Sequence, residues 1–123
     1  MDRQFFIASA QAMERSMYCI ARSYLRCEAD CEDALQNALL RAWEKRNTLR
    51  EERYFRTWLT RILINSCKET LRRQKREAPT ADFPEAAAPQ GSDPVLWEAL
   101  RALDEKYRVT VILHYRDGYG IRE

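Results

Sequence analysis

The chain has 123 residues, of which 46% are hydrophobic and 33% charged, and it contains only three glycines and four prolines. This length allows one ordinary domain or two small ones, and the composition excludes collagen-like, mucin-like and wholly disordered chains. No apolar run is long enough for a transmembrane helix, and Gln11, Glu14 and Arg15 interrupt the N-terminal stretch, which argues against a signal peptide. We therefore expect a soluble, cytoplasmic protein without membrane insertion.

The cysteines do not form a pattern typical of a disulfide scaffold or a metal site. Cys19, Cys27, Cys31 and Cys67 all fall in segments with helical periodicity, and only Cys27 and Cys31 have a metal-like spacing. There is no C-x-x-C motif, and the one histidine, His114, lies far along the chain. We expect reduced thiols that pack as small apolar side chains, with no metal and no cofactor.

Charge and proline divide the chain into three parts. Residues 1–77 carry a net charge of +5 and residues 78–123 a net charge of −3. The second of these ranges begins with an acidic stretch that is rich in proline and contains no basic residue. Because proline lacks an amide donor and restricts the preceding residue, this stretch predicts an extended linker. We expect a first domain over 1–77, a linker over 78–93 and a second unit over 94–123.

Apolar periodicity predicts an all-α fold. Apolar residues at helical spacing predict one helix over residues 2–26, a second that begins with Asp30 as its N-cap and reaches about residue 46, and a third over about 52–76. Ser92, Asp93 and Pro94 predict another helix start. The β-branched run VTVIL is also compatible with a strand, but no partner strand exists, so helix is favoured. The expected architecture is an N-terminal bundle of three to four helices, joined by the linker to a C-terminal helical hairpin.

The third predicted helix has one cationic face. At 100° per residue, one side collects the residues that we call the basic face: Arg61, Asn65, Lys68, Arg72, Lys75 and Arg76. The opposite side is apolar and suited to a core. Like charges on one helix face repel each other, and regularly spaced phosphates are their natural partner. Trp58 borders this face, and aromatic side chains beside cations suit unstacked bases. The alternative is a solvated face with its aromatics buried.

The second predicted helix places an apolar residue among polar ones. Its Leu40 face comprises Asp33, Gln36, Asn37, Leu40 and Glu44, with Trp43 at the border. A single exposed leucine is common in proteins. A leucine and a tryptophan framed by polar side chains are also typical of an anchor for a protein partner. Spacing alone leaves open both this interpretation and ordinary packing against another helix.

The sequence resembles a bacterial RNA polymerase sigma factor of the extracytoplasmic-function (ECF) group. The most specific signal is D-x-x-Q-x-x-x-L-x-A-W over residues 33–43, followed by F-R-T-W-L-x-R-I over residues 55–62. The stretch LWEALRALDEKYRVTVILHYRDGYGIRE, after the acidic linker, continues the resemblance in the family's order. The similarity covers nearly the whole chain.

The resemblance implies a role for each face. It implies docking on the clamp helices of the polymerase β′ subunit through Asp33, Gln36, Asn37, Leu40 and Trp43. It also implies recognition and melting of the promoter −10 element on the non-template single strand. The residues at the matching positions are Thr57, Trp58, Arg61, Asn65, Lys68, Arg72 and Arg73. Lys75 and Arg76 continue the same face and are also expected to contact DNA. The loop over residues 46–53 would capture a flipped base. Core RNA polymerase, promoter DNA and an anti-sigma factor are the implied partners.

Two departures from the family pattern lead to expectations. Arg61 and Ile62 stand where housekeeping sigma factors carry adjacent tryptophans, which implies weaker melting and stricter promoter demands. Sigma factors of this family read the promoter −35 element with a helix-turn-helix in their C-terminal region 4. The sequence ends where the first helix of that motif would begin, so we expect a truncated region 4 without its recognition helix. A natural short variant is the alternative.

Two other classes of function compete with this interpretation. A helical protein-binding adaptor would use the Leu40 face and keep the basic face merely solvated. An enzyme would need a nucleophile, a glycine-rich phosphate loop or paired carboxylates, and none of these motifs accompanies His114. We therefore expect a protein that is not an enzyme.

Overall fold

The computed structural model describes residues 2–77 and 94–113, and within them every regular element is helical. This confirms the predicted all-α fold and its N-terminal helical bundle. The described residues form six α-helices, which we number α1 to α6: Arg3–Ala12, Glu14–Tyr24, Glu28–Glu44, Phe55–Glu77, Pro94–Ala102 and Glu105–Val111. Two short 3₁₀ turns, Arg46–Thr48 and Glu52–Tyr54, connect α3 to α4.

The prediction of one continuous helix over residues 2–26 is wrong, because the chain breaks at Met13. The amide of Met13 donates to the carbonyl of Ala10 at 3.1 Å, which closes a tighter turn than an α-helix has. The carbonyl of Met13 then accepts from the amide of Met17, and α2 begins there. Both halves bury their part of the predicted stripe, since Phe6 of α1 and Met17 of α2 lie in the core.

The prediction that Asp30 caps the second helix is also wrong. Helix α3 begins two residues earlier at Glu28, with Cys27 at the N-cap position and no side-chain cap. The carboxylate of Asp30 lies in the first turn and accepts instead from the side-chain amide of Gln74 at 2.5 Å. Asp30 therefore ties α3 to the far end of α4, a contact between residues distant in sequence.

The core lies between α2, α3 and α4. Leu35, Leu39 and Trp43 of helix α3 are partly buried against the core. The fully buried side chains of the same helix are all small: Cys31, Ala34, Ala38 and Ala42. Helix α4 contributes larger ones, with Leu59 and Leu63 fully buried against them. Small side chains on one helix allow a close approach of the other, so this interface fixes α3 and α4 side by side. An aromatic cluster of Phe6, Trp43 and Phe55 adds to the same core.

Helices α5 and α6 pack against the first domain. We call residues 94–113 the C-terminal segment. Ile112 is buried with the core of the bundle, and Val109 and Leu113 pack against it. The run VTVIL is helical as far as Val111, as favoured from the sequence. The predicted linker over 78–93, His114 and the end of the predicted hairpin lie outside the described residues, so the domain boundaries stay a prediction.

Candidate nucleic-acid interface and the adjoining Leu40 face

Helix α4 separates an apolar side from an exposed cationic side, as its periodicity predicts. Its buried side carries Leu59, Leu63 and Cys67. The exposed side chains include most of those expected to contact DNA: Thr57, Arg61, Asn65, Arg72, Arg73, Lys75 and Arg76. Among the residues that the structure describes, Arg61, Arg72 and Lys75 form no ion pair with a carboxylate. This side of the helix therefore presents an excess of positive charge.

Trp58, Lys68 and Arg73, three of the predicted DNA-contacting residues, have partners inside the protein. The guanidinium of Arg73 donates to the hydroxyl of Thr70 at 3.5 Å. The ring of Trp58 is half-buried, and its centre lies 5.8 Å from the centre of the Phe55 ring. The ammonium of Lys68 lies 2.8 Å from the carboxylate of Glu105 on α6. The hydrogen bond from Lys68 is the largest of the effects that hold the pKa of Glu105 below its usual range. Lys68 thus faces a carboxylate of its own chain.

A basic cleft opens between α3 and α4, beside the basic face. Its volume is about 380 Å³, and its lining consists of Asn37, Arg41, Glu69, Arg72, Arg73 and Arg76. The guanidinium of Arg41 donates to the carboxylate of Glu69 at 2.5 Å across the two helices. This hydrogen bond raises the pKa of Arg41 and lowers that of Glu69. One acidic side chain among four arginines leaves the cleft strongly positive, which suits an anion.

Arg41 is a neighbour of the basic face that the sequence pattern did not indicate. The available signal is its position four residues after Asn37, which places both side chains on one side of α3. Nothing local indicates that this side of α3 meets α4 at Glu69. The cleft therefore belongs to the packing of two helices and not to either helix alone.

The Leu40 face of α3 is exposed in the structure. Asp33, Gln36 and Asn37 are exposed, and Leu40 retains 58% of its accessible surface. An apolar side chain of this exposure surrounded by polar ones is available to a partner. Because Asn37 also lines the basic cleft, this face and the basic face meet along one edge.

Trp43 is held more firmly than Leu40. Its ring lies edge-on to Phe6 at 5.2 Å and beneath the guanidinium of Arg46 at 3.9 Å. Arg46 also donates to the carbonyl of Trp43 at 2.8 Å. The half-buried ring is thus fixed between α1 and the start of the connecting loop, and it borders the Leu40 face instead of projecting from it.

The loop between α3 and α4 carries exposed polar and aromatic groups. Leu49 packs against the core and anchors the loop, whereas Asn47, Thr48 and Arg50 are exposed. The ring of Tyr54 retains 52% of its accessible surface, and the guanidinium of Arg53 lies 4.8 Å from its centre. An exposed ring beside a cation is chemically suited to stacking with a base.

A family model describes the part of the chain that carries these faces. Residues 10–77 match the family Sigma-70 region 2. The all-α bundle and this match show that the chain belongs to the sigma-70 family of RNA polymerase sigma factors, and its relatives place it in the ECF group. The resemblance seen in the sequence is thereby confirmed.

The relatives include named sigma factors from several bacteria. The ECF RNA polymerase sigma factor SigM of Mycobacterium tuberculosis is 32% identical over 127 residues, which cover 99% of this chain and 65% of that protein. The RNA polymerase sigma-E factor of Streptomyces coelicolor is 33% identical over 109 residues, covering 84% of this chain and 62% of that protein. The chain therefore spans less than two thirds of the length of these relatives.

A more distant relative is the RNA polymerase sigma factor SigV of Bacillus subtilis, which is 25% identical over 115 residues, covering 89% of this chain and 69% of that protein. No solved structure matches the chain. Within residues 2–77 and 94–113, no helix combines the length and the apolar character needed to cross a bilayer.

Proposed function

We propose that this chain is a transcription initiation factor that binds core RNA polymerase and recognises and melts the promoter −10 element. The observation that carries the proposal is the basic face of α4, whose exposed arginines and lysine lack described carboxylate partners. A face of this charge attracts the phosphates of a nucleic acid and releases their counterions. Membership of the sigma-70 family supplies the class of nucleic acid, promoter DNA.

The groups around α4 divide the work of binding DNA. Arg61, Arg72 and Lys75 supply the charge that positions a phosphate backbone. Asn65 and Thr57 are exposed on the same helix and can exchange hydrogen bonds with base edges. Because a base must leave the duplex stack before a side chain can surround it, the loop over residues 46–53 and its neighbouring Tyr54 ring are the proposed site of base capture.

The Leu40 face is the proposed contact with the polymerase β′ clamp helices. Leu40 supplies an exposed apolar anchor, while Asp33, Gln36 and Asn37 supply the polar rim that orients a partner. Trp43 supports this surface from the side, since Phe6 and Arg46 fix its ring. The same exposed leucine also favours the second candidate function, a protein-binding adaptor whose basic face has no ligand.

Salt-dependent binding to single-stranded DNA distinguishes these two functions. We expect the wild-type chain to bind a fluorescent single-stranded oligonucleotide with an affinity that falls steeply as salt rises. Replacement Arg72→Ala removes one exposed guanidinium, and we expect the slope of log affinity against log salt to decrease by about 0.7, the value for one phosphate contact on a single strand. The measurement is fluorescence anisotropy at several salt concentrations.

The matched control is Arg15→Ala, which removes an exposed arginine of α2 that lies outside both faces. We expect it to leave the slope unchanged. Equal changes for the two variants would indicate a general charge effect and would contradict a specific basic face. A folded wild-type chain and a folded Arg72 variant without salt-dependent binding would favour the adaptor.

A further inference from the structure

The C-terminal segment places a carboxylate on the basic face of α4. Glu105 opens α6, and its carboxylate accepts from the hydroxyl of Tyr24 at 2.7 Å and from the ammonium of Lys68 at 2.8 Å. Tyr24 is buried on α2, so its hydroxyl fixes the carboxylate from the side of the core. The Glu105 carboxylate is thus held against Lys68 of the basic face, at a position where the proposed function requires a phosphate oxygen of DNA.

Further contacts hold α5 and α6 in this position. The guanidinium of Arg108 lies 4.5 Å from the centre of the Tyr24 ring. Ile112 is only 5% exposed and belongs to the core of the bundle. On α5, the guanidinium of Arg101 donates to the carbonyl of Arg22 at 3.2 Å. These contacts join the segment to the bundle at several points, so Glu105 is positioned by more than its own ion pair.

Some features of the attachment oppose it. Lys68 and Glu105 keep 40% and 42% of their side-chain surface exposed, so water and salt screen their attraction. Burial of Arg101 near the guanidinium of Arg22 lowers the pKa of Arg101, because desolvation and a like charge both oppose its positive form. The attachment therefore combines apolar contacts with a screened ion pair and a repulsive pair of cations.

We propose that the C-terminal segment is autoinhibitory, with the Glu105 carboxylate occupying Lys68 in the free chain until a DNA phosphate displaces it. This inference rests on the proposed function, because it assumes that the basic face binds DNA. Carboxylate and phosphate oxygens compete for the same ammonium, so DNA binding and α6 docking oppose each other. Binding of DNA to the basic face then favours release of α6. Release of α6 strengthens DNA binding to the same extent.

The test is the affinity of the full chain for a fluorescent single-stranded oligonucleotide, measured by anisotropy at several salt concentrations. Glu105→Gln keeps the shape of the side chain and removes its charge. We expect about a two- to fivefold tighter affinity at low salt, the range that a half-exposed ion pair can withhold. We also expect a steeper salt slope, because salt screens the half-exposed Lys68–Glu105 pair and the affinity gained by removing it therefore shrinks as salt rises.

The matched control is Glu14→Gln. Glu14 is an exposed acidic residue in the first turn of α2, outside the C-terminal segment and outside both faces. The two variants change the net charge equally, so a general electrostatic effect would appear in both. Equal affinities for them, both different from the wild type, would overturn the proposal. Unchanged affinity in the Glu105 variant would overturn it as well.

Substitution of Lys68 supplies a second, independent readout. We expect Lys68→Gln alone to change DNA affinity little, because Glu105 already occupies the ammonium, and we expect the double variant with Glu105→Gln to lose the gain of the single Glu105 variant. A loss of one full phosphate contact from Lys68→Gln alone would show that this cation is free in the wild type and would contradict the proposal.

Failure of the proposed function gives a different pattern. If neither the wild type nor the Glu105 variant shows salt-dependent binding while circular dichroism shows both to be helical, the basic face does not bind DNA and the proposed function fails. If the wild type binds and the Glu105 and Glu14 variants behave alike, only the autoinhibitory contact fails. Binding by the Glu105 variant alone would support both.

Discussion

The interface between α3 and α4 is tested most directly by enlarging one of its small side chains. Ala38 is fully buried on α3 and belongs to the same core as Leu59 and Leu63 of α4. The replacement Ala38→Leu adds three carbon atoms where the packing leaves no exposed surface. Overpacking of a close interface costs about 1–3 kcal/mol, because the added atoms force side chains from their preferred rotamers or separate the backbones.

This cost is large enough to measure by urea unfolding followed by far-ultraviolet circular dichroism. With a denaturant slope of about 1–3 kcal/mol per molar urea, a loss of about 2 kcal/mol lowers the midpoint by roughly 1 M. The matched control is Ala29→Leu, the same substitution at an exposed position of the same helix. We expect the control to stay within about 0.5 kcal/mol of the wild type, as surface substitutions usually do.

The two variants together test whether α3 packs closely against α4 at Ala38. Equal midpoints for Ala38→Leu and Ala29→Leu would mean that residue 38 has room for a leucine, and the close packing of α3 on α4 would be refuted. A lower midpoint for both variants would instead indicate that leucine is unfavourable anywhere on α3. Only a selective loss at Ala38 supports an interface that small side chains bring close together.

Two further predictions concern the Leu40 face and the buried thiols. We expect Leu40→Ala to weaken binding to core RNA polymerase about tenfold or more, because it removes a central apolar anchor. The control is Ile7→Ala, which changes an exposed apolar residue of α1 and should leave the affinity unchanged. Equal effects of the two variants in surface plasmon resonance would contradict the Leu40 face as the polymerase contact. Burial raises the pKa of Cys31 to about 11 and that of Cys67 to about 12. We therefore expect iodoacetamide at neutral pH to modify both thiols only after the protein unfolds. Prompt labelling of the folded protein, detected by peptide mass spectrometry, would contradict their burial.

Features that depend on one helix alone could be predicted from the sequence. The period of 3.6 residues separates the buried Leu59 and Leu63 from the exposed Arg61 and Arg72, and the structure has the same separation. Likewise, Leu40 is exposed on its polar face as the pattern indicates. In both cases the helical period alone decides which side chains share a face.

Features that depend on two distant segments could not be predicted. Asp30 has the chemistry of an N-cap, but in the structure it accepts from Gln74, forty-four residues later. Lys68 has the pattern of a solvated or DNA-bound cation, but it meets Glu105 from the other side of the predicted linker. Such pairings depend on tertiary packing, and no local periodicity encodes them. The break at Met13 is a related case, since a continuous stripe is compatible with either a straight or a broken helix.

The basic cleft explains why the two proposed interfaces are geometrically coupled. Asn37 belongs to the Leu40 face and lines the cleft together with Arg72 and Arg73 of α4, while Arg41 and Glu69 join the two helices across it. The relative position of the two faces is therefore set by the packing of α3 on α4. Because the faces use different side chains, loss of Leu40 is expected to affect polymerase binding alone and loss of Arg72 to affect DNA binding alone. A change that moves one helix against the other displaces both faces together, so we expect a substitution at Ala38 to weaken both proposed interactions, although Ala38 itself is buried between the helices.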